Sequence, residues 1–269
     1  MRLGIGSWTY GWATGVSGYP LPANPLTSLD LIDRAVAHGF DLVQIADNLP
    51  IHKLSSAELV TLRDHATRSG ISIEIGTVGF EREHLQRYLH LARFLGARLV
   101  RTLIRTSDGK PNLPLAEKCI RSVADEYRSA GVELAIENYE QLSCAELASL
   151  VKRIDNPFVG ICLDTVNSFG ALETPRQVVA MLGPFVRNLH IKDFTIRRLP
   201  SKMGFEIIGC PAGEGNLEID WVISELRRLG QNPSVILEQW TPWAGCIAST
   251  IAMEAAWAER SITYLQGYR

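Results

Sequence analysis

The sequence predicts a parallel (β/α)₈ barrel, and three observations carry that prediction. Eight short β-rich runs recur along the chain, most of them separated by helical segments. Several helical segments end in glycine just before the next run, as in "AHGFDLVQ", "RSGISIEI" and "SAGVELAI". That is a left-handed helix cap followed by a short loop. The first run lacks a phosphate-binding turn, since "GIGSWTYGW" matches G-x-G-x-x-G poorly, which disfavours an open doubly wound sheet. Eight units in 269 residues fit a closed barrel.

The first run, "RLGIGSW", is followed by "TSLDLIDRAVAHG", where Leu29, Ile32, Ala35 and Val36 form one helical stripe. Thr27 or Ser28 caps its start. "DLVQIAD" is the second strand, "SSAELVTLRDHATRSG" a helix, and "ISIEIGT" the third strand. "RLVRTLI", "VELAIEN", "VGICLDT", "VRNLHIKD" and "SVILEQW" complete the set. The longest gap separates the last two and holds "FTIRRLPSKMGFEIIGCPAGEGN", too long for a plain loop and a candidate lid or pocket wall. No linker or charge block divides the chain, so residues 1–269 read as a single domain. The aromatic segment "MEAAWAERSITYLQGYR" reads as a helix that either closes the barrel or pairs two copies into a homo-oligomer.

Composition narrows the function classes. With 46% hydrophobic and 21% charged residues the chain is ordinary globular protein, and a formal charge of -2 gives no drive toward nucleic acid or acidic membranes. No apolar run approaches the roughly 20 residues of a membrane span, and "MRLGIGSWTYGWATG" lacks a signal-peptide block. Five scattered cysteines without a C-x-x-C pair point to reduced thiols and a cytoplasmic protein.

In such a barrel the chemistry sits at the C-terminal ends of the strands. Strands five to eight end in Glu137, Asp164, His190 and Glu238, each closing an apolar run. Three carboxylates and an imidazole at one mouth repel each other unless a cation joins them. This donor set suits one divalent metal ion: Mn²⁺, Mg²⁺, Co²⁺ or Zn²⁺.

These ends, with "GICLDTVNS", "HIKD" and "GEGNLEIDW", resemble the xylose isomerase-like TIM barrels over essentially the whole chain. That family includes sugar epimerases and endonuclease IV. The resemblance implies that Glu137, Asp164, His190 and Glu238 hold the metal and that both glutamates double as acid/base groups. Relatives often carry Glu-Asn-His at the fifth strand, where this chain has Glu137-Asn138-Tyr139. The extra histidines of a trinuclear endonuclease site are missing from "QIADN" and "IEIGT", which removes the nucleic-acid reading. The runs "MRLGIGSWTY", "LVQIADNLP" and "HIKDFTIRR…MGF…GCPAGEG" are similar to the 3-oxo-isoapionate decarboxylase branch. That branch implies loss of carbon dioxide from a branched 3-oxo sugar acid, leaving a ketotetrose.

A metal flanked by glutamates can stabilise an enediolate, the intermediate shared by isomerases, epimerases and some decarboxylases. Glu137, Glu238 or Lys192 would then return the proton. A decarboxylase also needs a seat for the substrate carboxylate. Lys192, two residues beyond His190 on the same side of a strand, is one cation near the mouth. Arg197, Arg198 and Lys202 in the long loop are others. Arg101 is either a buried partner of Glu74 on the neighbouring strand or a carboxylate clamp. Asn167 stands where epimerase relatives often have a substrate-contacting histidine, which weakens the epimerase reading. Trp8, Tyr10, Trp12, Trp240 and Trp243 gather at strand ends, where rings cover sugar C–H faces or pack an interface. "PAGEG" is a tight turn that either brings Glu214 over the site or is purely structural. The expected partner is a small sugar or sugar acid. A ketose epimerase or aldose–ketose isomerase is the first alternative, and a non-catalytic sugar-binding barrel the second.

Overall fold

A computed structural model describes residues 1–106 and 109–268. Eight parallel strands close a barrel: β1 (Leu3–Gly6), β2 (Leu42–Ile45), β3 (Ser72–Val78), β4 (Leu99–Leu103), β5 (Glu133–Glu137), β6 (Val159–Asp164), β7 (Val186–Ile191) and β10 (Ser234–Leu237). The strands follow one another around the barrel in chain order, and β10 pairs with both β7 and β1. The intervening β8 (Asp193–Arg198) and β9 (Phe205–Cys210) form a separate antiparallel hairpin.

The short α1 (Gly11–Thr14) lies at the mouth, and the other helices wrap the outside: α2 (Ser28–Ala37), α3 (Ser56–Arg68), α4 (Arg82–Leu95), α5 (Leu113–Ala130), α6 (Cys144–Ile154), α7 (Pro175–Leu182), α8 (Ile219–Arg228) and α9 (Ile247–Leu265). Their starts are written in the sequence. Thr27, Ser55, Ser143 and Thr174 each accept an N–H of the first turn, and Asp30, Glu58, Glu146 and Gln177 reach back to the cap. Such a reciprocal cap contributes about 1 kcal/mol. Gly70 and Gly131 end α3 and α5 at φ 68° and 65°, a conformation that a Cβ disfavours. On α2 the buried residues are Leu31, Ile32 and Ala35, while Val36 is exposed, so the helix is rotated from the expected stripe. The C-terminal α9 packs against α1 and the turn after β1. Among the described residues no helix is long and apolar enough to cross a membrane.

Between barrel and helices lies a continuous aliphatic core of β-strand residues such as Ile5, Val43, Ile75, Ile136 and Leu163. Each such side chain stabilises the fold by about 1.5–3 kcal/mol. The alternate residues point inward, and this interior is largely polar: Gln44, Glu74, Arg101, Glu137, Asp164, Asn188, His190 and Glu238 are all buried. Leu99, Ala135 and Cys162 form a small apolar cluster of their own.

Candidate active site

Strand alternation brings the four expected residues together. Asp164 on β6 is in register with His190 on β7, and His190 with Ile236, two residues before Glu238. Glu137 on β5 is in register with Cys162, two residues before Asp164. One ligand atom from each of Glu137, Asp164, His190 and Glu238 lies within 4.8 Å of all the others. His190 Nδ1 is 3.5 Å from Glu137 Oε1, 4.0 Å from Asp164 Oδ2 and 3.4 Å from Glu238 Oε1. All four side chains are buried.

Two observations show that this set fits a divalent cation. His190 Nδ1 and Glu238 Oε1 make no hydrogen bond and meet no lysine or arginine, and Glu137 Oε2, Asp164 Oδ2 and Glu238 Oε2 are met only by the Arg101 and Lys192 cations, although all five atoms are shielded from solvent. Buried polar atoms in native proteins are otherwise almost always satisfied. The imidazole is also oriented for ligation. His190 Nε2 lies 2.8 Å from Gln44 Oε1, an acceptor, so Nε2 carries the proton and the Nδ1 lone pair faces the carboxylates. Cys162 is close enough to form an alternative set with Glu137 and His190. Its thiol, however, donates to Asn188 Oδ1 at 3.1 Å and burial pushes its pKa well up, so the oxygen-rich set is the better match.

Two cations brace the carboxylates. Arg101 Nε approaches Glu137 Oε2 at 2.5 Å and its Nη1 donates to Asp47 Oδ1 at 2.9 Å. Lys192 Nζ lies 2.9 Å from Asp164 Oδ2 and 2.8 Å from Glu238 Oε2. Burial by itself would raise the Glu137 pKa. The Arg101 guanidinium, then His190 and Lys192, reverse this and hold it at about 2. At Asp164 burial prevails over Lys192, and the neighbouring Glu137 and Glu238 add to it, so its pKa is raised. The Lys192 ammonium is held charged: burial opposes the charge, but Asp164 and Glu238 outweigh it.

Above the cluster opens a cavity of about 370 Å³, lined among others by Trp8, Arg101, Glu137, Asn167, Lys192 and Glu238. Asn167 Nδ2 donates to Glu137 Oε1 at 3.0 Å, and its backbone N–H donates to Asp164 Oδ1 at 2.8 Å. Trp8 Nε1 donates to Asp47 Oδ1 at 3.4 Å. Trp12 and Trp240 also line the cavity, and Trp12 packs against Tyr19 and Trp243 with ring centroids 4.8 and 5.3 Å away. Tyr10 does not reach it; it is buried beneath Arg34.

Other expectations are corrected by the structure. Arg197 does not reach the cavity: it lies on β8, 62% exposed, with Nε donating to Glu206 at 2.6 Å. The long segment folds into its own hairpin, so strand pairing rather than the barrel mouth sets its direction. None of β8–β9 lines the cavity, and Glu214 points outward to Arg260. The "PAGEG" turn instead wraps Asp193, whose carboxylate accepts the N–H groups of Phe194, Gly213, Gly215 and Leu217. Gly209 lets the hairpin base lie against Trp240, because a Cβ there would clash with the Trp240 carbonyl. The Glu74–Arg101 pair does not form. Arg101 is in register with Gly76, and Glu74, two residues lower, meets Gln44 and Asn188 at 3.1 Å each.

A sequence model of the xylose isomerase-like TIM barrel family matches residues 32–267. The chain belongs to that family. It is 36% identical over 265 residues to the 3-oxo-isoapionate decarboxylase of Pectobacterium atrosepticum, covering 98% of this chain and 95% of that protein. The fold is similar to that of D-psicose 3-epimerase in the presence of D-fructose, with a TM-score of 0.73, 19% identity and coverage of 100% and 98% of the two chains. It is also similar to a Mycobacterium smegmatis xylose isomerase-like barrel in complex with magnesium, with a TM-score of 0.64, 17% identity and 88% and 89% coverage.

For this xylose isomerase-like barrel, sequence reasoning missed three residues that shape the site. Gln44 orients His190, Asp47 holds Arg101 and Trp8, and Arg105 lines the cavity. Gln44 and Asn188 carried a usable signal, a polar residue inside an apolar strand on the inward-facing alternation. Tyr139, standing where relatives often have histidine, donates from its hydroxyl to the Ile104 carbonyl at 2.6 Å.

Proposed function

We propose that this protein is a divalent-metal-dependent decarboxylase of a branched 3-oxo sugar acid, releasing carbon dioxide and a ketotetrose. The observation that carries the reading is the 36% identity, over nearly the whole chain, to a 3-oxo-isoapionate decarboxylase, supported by a donor set that fits a metal. A cation held by Glu137, Asp164, His190 and Glu238 would supply Lewis-acid polarisation of the 3-oxo group. The chain's own residues do the rest. Breaking the bond to the carboxylate leaves its electron pair as an enediolate, which must be protonated on carbon. Glu137 is engaged through both oxygens, by Asn167 and Arg101, and serves to hold and orient. Glu238 and Lys192 touch at 2.8 Å and both line the cavity, so this pair is placed to hold the proton and deliver it to carbon. The rings of Trp8, Trp12 and Trp240 line the cavity and would cover the C–H faces of a bound sugar.

Ketose epimerisation is the second reading, favoured by the two glutamates that both line the cavity, as acid and base on two faces would. The test is carbon dioxide release from a 3-oxo sugar acid, with and without chelator, after subtraction of the spontaneous rate. Chelator-sensitive release far above background is the expected result. Background release from metal-loaded protein, together with interconversion of ketose epimers, would replace the first reading by the second. Glu137→Gln tests an acid/base role for Glu137: unaltered turnover with altered metal binding would count against it, and no turnover of any ketose or 3-oxo sugar acid by the metal-loaded wild type would leave the non-catalytic alternative.

A further inference from the structure

The buried cations of the cavity are already matched. Arg101 meets Asp47 and Glu137, and Lys192 meets Asp164 and Glu238, all within 2.9 Å. A substrate carboxylate could claim either only by displacing a residue of the site. Arg105 differs. It lines the same cavity, is exposed, and among the described residues faces no carboxylate in an ion pair.

Its placement follows from the backbone. Arg101, Leu103 and Arg105 all line the cavity, so the inward alternation of β4 continues past the strand end and sets Arg105 above Arg101, toward solvent. The intervening Ile104 is fully buried, and its carbonyl accepts the Tyr139 hydroxyl at 2.6 Å. Tyr139 is itself buried, so the segment carrying Arg105 is fixed from behind. A guanidinium with unused donors, on an anchored backbone at the rim of an acid-lined cavity, suits a planar oxyanion.

We infer that Arg105 binds the carboxylate of the substrate and makes the site selective for sugar acids over neutral sugars. This rests on the decarboxylase reading and deepens it by naming what recognises the group that leaves. The interaction is formed in the bound substrate and is lost as carbon dioxide departs, so it acts more on KM than on kcat. Tyr139 is a positioning residue in this scheme, acting through Ile104.

The test uses metal-loaded protein and two inert probes, the four-carbon aldonate erythronate and its neutral counterpart erythritol, in calorimetric titrations. The wild type should prefer the aldonate, and Arg105→Gln should weaken aldonate binding by about ten- to a hundredfold while leaving erythritol unchanged. Arg105→Lys should recover part of the loss, keeping charge without the fork. In turnover, Arg105→Gln should raise KM for the 3-oxo sugar acid by a similar factor, with a smaller change in kcat. An Arg105→Gln protein that keeps the full aldonate preference would overturn the assignment. Loss of that preference in the variant, combined with no carbon dioxide release by the wild type, would leave Arg105 as the acid-binding residue and remove the decarboxylase reading alone.

Discussion

Two polar layers lie one above the other inside this barrel, both largely buried and differently satisfied. In the lower layer Gln44 Nε2 donates to Glu74 and Asn188, and Asn188 Nδ2 donates to Glu74 and Ser234. Cys162 closes the network on Asn188. In the upper layer three carboxylates and the His190 Nδ1 lone pair converge beside two cations, and His190 Nδ1 and Glu238 Oε1 keep no lysine or arginine partner. The contrast separates two uses of buried polarity. A network whose donors and acceptors match is scaffold, and one whose acceptors outnumber its donors and converge on one point is suited to a cation from outside the chain. The layers meet at the contact between Gln44 and His190, where the scaffold sets the orientation of the imidazole.

The sharpest way to break the comparison is to remove a ligand from the upper layer. Glu137→Gln or Asp164→Asn should lower carbon dioxide release by about 10²- to 10⁴-fold. The same proteins, measured by metal analysis, should retain less metal, and full metal content would argue that the layer serves something else. In the lower layer the expected damage is to stability. Glu74→Leu leaves two buried amide groups without their shared acceptor and should cost about 2–4 kcal/mol in urea denaturation, since orphaned donors lose their full solvation. An unchanged midpoint would mean that the network is not structural. Gln44→Leu tests the junction: metal affinity by competition titration should fall about 10- to 100-fold, with the fold retained.

The smallest effect concerns a buried carboxylate outside both layers. Glu254 on α9 accepts the N–H groups of Trp12 and Ala13 at 2.8 and 3.0 Å, tying α1 to the C-terminal helix, with no cation in an ion pair among the described residues. Burial raises its pKa from 4.5 to about 7. Between those values the folded state binds more protons than the unfolded state, so stability falls as pH rises. The expected loss is about 1.5 kcal/mol between about pH 5.5 and 7, and Glu254→Gln should flatten it. A variant with the wild-type slope would assign the slope to other groups.

The strand ends are legible in the sequence because alternation and the barrel's one-sided chemistry are both local rules: Glu137, Asp164, His190 and Glu238 each close an apolar run. So are the caps, since Thr27 and Asp30, or Ser55 and Glu58, meet within one turn. Arg101 shows where local rules stop. Neighbouring strands make Glu74 its expected partner, but the stagger between β3 and β4 lifts Arg101 to Asp47 and Glu137. The length of its loop points Arg197 to the mouth, yet pairing with β9 turns it to solvent.

The sequence by itself determined the architecture and which four residues end the last strands, because periodicity and capping act over a few residues. Only the tertiary structure decided which cation meets which carboxylate, that Gln44 orients His190, and that Arg105 reaches the cavity without an ion-pair partner among the described residues. Those contacts join distant parts of the chain, and register, closure and burial settle them together.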